Sequence, residues 1–337
     1  MLHLVLALIL AAEPDRTVQA VAETSLPGAG PAQAGALWLN AREPSQSRLL
    51  CTHAPGGLTS FDLSGGKCAE ADLPGAGAID VRSGLTLGGR KVSLAAVATA
   101  APASVSLWTL EPRTGDLTKA GTVPLDAPPG AVALSPTGAT LAICTGARIE
   151  LKTLAKAGAE ITVTALRAIK SPGPVRAIAI DADAGAVYFI AQGKGLCRAA
   201  LDGSGGEPRV ISEAAGDGAG LALHAMGNAG YVLVSRPEGL AVFERGGANR
   251  ELGVVRVTDS ASVDGCSGAG AVSSLVDPLG AAFPRGVVAL WDQDNQGSPS
   301  NFKFIPWEKI AGAFRPALEG GPALPASEKG PASKPDP

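Results

Sequence analysis

Residues 131–154 read AVALSPTGATLAICTGARIELKTL, and residues 177–203 read AIAIDADAGAVYFIAQGKGLCRAALDG. Each is a strand of small residues, an Asp/Pro/Gly turn, an apolar strand, a short turn and a strand of alternating character. Short apolar runs rich in Val, Ile, Leu and Ala, bounded by Gly, Pro and Asp, are strands joined by tight turns. Two such units with turns at matching offsets are consecutive copies of one supersecondary element, the blade of a β-propeller.

Working outward, the same unit recurs at a spacing of roughly 40–50 residues, the blade period. Six units begin near Gly35, Ala76, Gly130, Val175, Gly220 and Val263. The expected fold is all-β, a single six-bladed propeller over residues 13–316. Arg16–Ser25 (RTVQAVAETS) has strand character and is placed to add an outer strand to the last blade, leaving no free edge at the closure.

Composition agrees with this reading. The chain has 337 residues, of which 44 are Gly and 26 Pro, which argues against a helical bundle. With 46% hydrophobic residues it can bury a full core. A net charge of −3 and a pI near 5.7 give no sequence-wide basic field, so nucleic acid is excluded as the expected partner.

Leu2–Ala12, apolar or small apart from His3, is too short to span a bilayer and reads as the core of a signal peptide over residues 1–12, with a buried N-terminal strand as the alternative. No other segment reaches transmembrane length, and the expected location is secreted or periplasmic. Residues 317–337 (ALEGGPALPASEKGPASKPDP) cannot support a core and are expected to be a disordered tail.

The residues alone offer little chemistry. Cys51, Cys68, Cys144, Cys197 and Cys266 show no CxxC spacing and are read as small buried hydrophobes. Cys51 and Cys68 fall on strands separated by a third, beyond disulfide reach. The three histidines, His3, His53 and His224, stand in no metal or triad spacing, and His53 and His224 read as turn or core polar residues. No P-loop is present.

Ala78–Ala100 (AIDVRSGLTLGGRKVSLAAVATA) closely resembles the second-blade signature of the β-propeller phytases, in which a VDIR-like strand precedes a loop, a GKK turn and a DIAAAS strand. Asn301–Pro316 (NFKFIPWEKIAGAFRP) resembles the ending of that family, in which an NFK-apolar-PWE segment closes the last blade. Between them RVTDSASVDG (256–265) and YVLVS (231–235), and before them ALWLN (36–40), fall in the family's order, so the resemblance covers about Gly35 to Pro316.

The resemblance implies a propeller whose upper face binds several calcium ions in a carboxylate-rich cleft and hydrolyses phosphomonoesters of phytate. Calcium takes oxygen ligands, metal-bound water attacks phosphorus, and Lys or Arg steadies the phosphoryl charge. Five family positions keep their residue: Asp80, Asp217, Asp264 and Asp292 as metal ligands and Arg82 as a phosphate ligand. Others depart from the pattern. Gln33 and Ala34 stand for an aspartate pair, Ala54 and Pro55 for two lysines, and Ala147 for a lysine, with Arg148 beside it. Arg176, Gln192 and Ala219 stand for glutamates, and Gly268 and Gly270 for aspartates.

Two expectations follow. Calcium-dependent hydrolysis is attenuated or lost, and Arg82, Arg176 and Arg148, with Arg236 a further candidate, bind a phosphorylated or anionic small molecule without calcium. An extracytoplasmic protein partner is the alternative ligand. A third class, a metal-dependent lactonase-type propeller, needs an Asp/Glu/Asn cage that this sequence does not assemble. Aspartates at propeller turns also bind loop amides, the leading reading for Asp80, Asp217 and Asp292, whereas Asp264 is balanced between the two roles.

Overall fold

The computed structural model describes residues 15–25, 32–54, 56–136, 139–158, 160–215, 218–268 and 270–320. The signal segment, Asp217 and residues 321–337 of the tail lie outside them.

Each repeat folds into an antiparallel sheet whose first strand lies innermost. The inner strands are Ala32–Trp38, Ala76–Leu87, Ala131–Leu134, Val175–Asp181, Gly220–Met226 and Val272–Leu275. Each packs beside the inner strands of the preceding and following units, and the sixth packs beside the first, so the six sheets close a ring. The expected six-bladed propeller is the observed fold, with helix confined to Trp307–Gly312 and two 3-10 turns among the described residues.

The core lies between blades rather than within one. Six apolar clusters, one at each junction, are built from the alternate residues that neighbouring sheets present to each other. Leu37, Leu49 and Phe61 of blade one meet Ala289, Phe302 and Phe304 of blade six, and Leu141 and Ile143 of blade three meet Leu94 and Leu107 of blade two. Full burial of such side chains contributes about 1.5–3 kcal/mol each.

The ring closes through the N-terminal segment, and differently from expectation in one respect. Ala22–Glu23 adds the outer strand of blade six, antiparallel to Asn301–Pro306, with Thr24 N–H donating to Phe302 O at 2.9 Å. The preceding Thr17–Gln19 instead joins blade five as a fifth strand, parallel to Glu251–Thr258. The sixth unit also starts later than Val263. Val263 N–H donates to Ser260 Oγ (3.0 Å) and Gly265 N–H to Asp259 Oδ1 (2.6 Å), and these side-chain bonds hold the segment as a loop until Val272.

Two smaller expectations meet the coordinates. All five cysteines are free, and Cys51 and Cys68 flank a third strand as expected, but Cys68 is exposed and Cys266 only half-buried. Cys68 sits on an outer strand, whose side chains meet water on one side. The first tail residues are tied down: Leu318 N–H donates to Ala311 O (3.1 Å) and Glu319 N–H to Tyr231 Oη (2.8 Å).

Candidate functional site

The upper face is the end at which the inner strands begin. Small residues dominate there because six inner strands converge on one axis. Ala34, Ala78, Ala131, Ala177, Ala219 and Ala271, one from each blade, line the mouth of the axial channel, a cavity of about 80 Å³. Arg176, exposed, is the single charged side chain among the described residues that line it. Ala34, Ala219 and Arg176, three of the positions that the resemblance matches to family carboxylates, thus meet in space.

Below the mouth the channel continues as a cavity of about 60 Å³ lined by Asp80 and Arg82. Both are engaged by the fold. Asp80 accepts from Val81 N–H (2.9 Å) and Leu134 N–H (2.7 Å), and its Oδ1 lies 3.2 Å from Arg82 Nη1. Arg82 donates from Nε to Leu134 O and from Nη1 to Val81 O, both at 3.2 Å. The pair ties blade two to blade three. Burial raises the Asp80 carboxyl above its usual range, against the opposing pull of Arg82.

Asp264 and Asp292 meet elsewhere, on blade six, around a lysine. Lys303 Nζ is fully buried and contacts the carboxylates of Glu23 and Asp264, Asn295 Oδ1 at 3.0 Å and Asp292 Oδ2 at 3.2 Å. Asp292 Oδ1 accepts from Ser267 N–H at 2.9 Å. For Asp264 burial pushes the carboxyl up, but hydrogen bonds with Lys303 and Glu23 and the lysine's charge outweigh it and hold it low. For Asp292 burial wins and the carboxyl is raised. The sequence carried no signal for this hub, because Glu23, Asp264 and Asn295 reach Lys303 from three separate segments.

The remaining expected residues stay apart from the axis. Arg148 is exposed and paired with Glu150, Nε to Oε1 at 2.9 Å. Arg236 is buried and held by Glu251 at 2.8 and 2.9 Å. Trp291 packs down onto Gly270, where a Cβ would fall 1.8 Å from its ring, and its indole N–H donates to Ala32 O at 3.1 Å. Gly268, at φ +76°, would place a Cβ 2.8 Å from Gln293 Oε1. No carboxylate fits at Gly270 without moving Trp291. His224 is a core residue, stacked on Trp307 at 3.6 Å, with Nδ1 2.8 Å from Ser274 Oγ; burial pushes its imidazole down to about 3.

Calcium requires six to eight oxygen ligands at about 2.3–2.6 Å. The channel mouth offers alanines and a guanidinium, and the oxygens of blade six surround an ammonium. Among the described residues, the donor sets at the channel mouth and around Lys303 do not fit the ion, and no group of three or more His, Cys, Asp or Glu is arranged to hold a metal. A cavity of about 710 Å³ lies away from the channel, against the C-terminal segment; its Arg245 and Arg250 are engaged by Asp181, Asp183 and Glu244.

Comparison with known proteins accounts for this architecture. By fold the chain is similar to one in the crystal structure of a nidogen/laminin complex, with a TM-score of 0.50 and 14% identity over 73% of this chain and 86% of that one. By sequence it is similar to the 3-phytase of Bacillus subtilis (strain 168), 25% identical over 305 residues that cover 82% of this chain and 79% of that protein. The model of the Phytase family matches residues 5–320, nearly the whole length, and the chain belongs to that family.

Proposed function

We propose that this protein is a phytase-family propeller in which calcium-dependent hydrolysis of phytate phosphomonoesters is strongly reduced or lost, and whose upper face binds a phosphorylated or otherwise anionic ligand. Family membership supports the hydrolytic reading. One observation carries the departure from it: the channel mouth is ringed by six alanines, and its charged group is Arg176. A guanidinium there binds phosphate oxygens in bidentate fashion but activates no water. Of the four retained aspartates, the three among the described residues, Asp80, Asp264 and Asp292, are already paired with Arg82 and Lys303.

The apolar Leu2–Ala12, read as a signal core, supports export and hence a ligand met outside the cytoplasm. Titration with inorganic phosphate tests the binding half of the proposal. The wild-type protein should bind in the presence of chelator, and Arg176→Ala should weaken binding about tenfold, the loss of one charge-assisted pair. Equal affinity of the two proteins would contradict it.

A further inference from the structure

The outer strand of each blade is a sheet edge, and a free edge is a template for pairing with another chain unless short length, charge, proline or a covering strand blunts it. Five of the six are blunted. Blade one ends in Lys67–Asp72, six residues of which Lys67, Glu70 and Asp72 are charged. Blade two ends in Leu117–Pro124, which carries Lys119 and a bulge and closes on proline. The outer strand of blade four, Arg209–Ser212, has four residues, that of blade six, Ala22–Glu23, has two, and that of blade five is covered by Thr17–Gln19. Blade three differs. Its outer strand, Glu160–Lys170 (EITVTALRAIK), runs for eleven residues without Pro or Gly, and Ile161–Leu166 carries no charge.

Among the described residues no other strand pairs with this edge. Near its start Gly121 of blade two approaches Ile161 O, so the open stretch begins at Thr162. A bulge opposite Leu151 and Lys152 leaves Leu166 without a cross-strand partner, and at 48% it is the most exposed large apolar side chain among the described residues. Thr164, Ala165, Arg167 and Ala168 beside it are exposed as well. The two ends of the strand carry opposite charge. Glu160 and Lys170 are exposed and in no ion pair among the described residues; ten residues of strand, roughly 33 Å, keep them from meeting within one copy.

We infer that this strand pairs, antiparallel, with the same strand of a second copy of the chain. With Ala165 on the twofold axis, Thr162 lies opposite Ala168, Leu166 opposite Thr164, and Glu160 of each copy opposite Lys170 of the other. The pattern is self-complementary, as a twofold interface requires, and its facing charges are opposite in sign. One strand pair buries less than a standard interface, so the dimer is weak and depends on concentration. Antiparallel pairing at the rim turns the two upper faces in opposite directions and leaves both channel mouths open. The contact is therefore independent of the proposed ligand.

Sedimentation equilibrium of the full chain, from micromolar to millimolar protein, tests the inference, and the wild type should show a monomer–dimer equilibrium. Glu160→Lys and Lys170→Glu each set like charges against each other at both ends of the contact. Either should raise the dimer dissociation constant at least tenfold at an unchanged melting temperature. Combining the two substitutions in one chain should restore the dimer, as should mixing the two single variants, while Lys67→Glu on blade one should change nothing. A wild type that stays monomeric at millimolar concentration overturns the inference, and so does a dimer that both single variants retain. Single variants that lose the dimer, with neither the double variant nor the mixture regaining it, overturn the antiparallel pairing of Glu160 with Lys170. Growth of the wild type beyond a dimer overturns the twofold closure.

Discussion

Lys303 is the residue on which blade six depends. Its buried ammonium faces Glu23, Asp264 and Asp292, and removing one partner of a buried ionic cluster leaves uncompensated charge at a cost of about 3–5 kcal/mol. Lys303→Met should therefore melt well below the wild type, and millimolar calcium should raise the melting temperature of the variant but not of the wild type. Calcium stabilisation of the wild type would contradict the account of the hub. The carboxyl of Asp264, held low in the folded state, contributes stability that is present above its unfolded value of about 3.9 and is lost as pH falls through the lower folded value. The stability difference between wild type and Asp264→Asn should accordingly be large at neutral pH and shrink below about pH 4. Gly270→Asp, which returns a carboxylate to a family position, should destabilise by about 1–3 kcal/mol through its clash with Trp291, and calcium titration should detect no binding gained.

At the scale of elements, the short strand Ala22–Glu23 does more than its length suggests. Thr24 both donates its N–H to Phe302 O and accepts from Phe302 N–H at 3.1 Å through Oγ1. Thr24→Pro removes both bonds and should cost about 3 kcal/mol, with amide exchange quickened at Phe302–Phe304 and not in blade three. The blades themselves were legible in the sequence, because two-period strands and Gly/Asp turns recur in local units. The parallel Thr17–Gln19 was not, since its partners Arg256–Thr258 lie far away in sequence and leave no local pattern. Lys303 stood in plain view within the NFK motif, yet its partners Glu23 and Asp264 lie far away in sequence.

Over the whole molecule, one frame serves two separable ends. The inter-blade clusters and the ring closure keep the phytase-family propeller, while the mouth of its axial channel presents alanines and one arginine among the described residues. Retained fold with altered rim is the pattern expected when binding outlasts turnover, since a phosphate grip needs fixed cations but hydrolysis needs an activated nucleophile as well. Among the described residues no helix is long and apolar enough to cross a membrane. The most direct test is phosphate release from phytate by the purified protein, with calcium raised from chelated to millimolar and calcium binding measured calorimetrically on the same sample. The account predicts binding of phytate with no calcium-dependent release and no calcium heat. Calcium-dependent release at an enzymatic rate would show that Asp80, Asp217, Asp264 and Asp292 still assemble a working site and would contradict it.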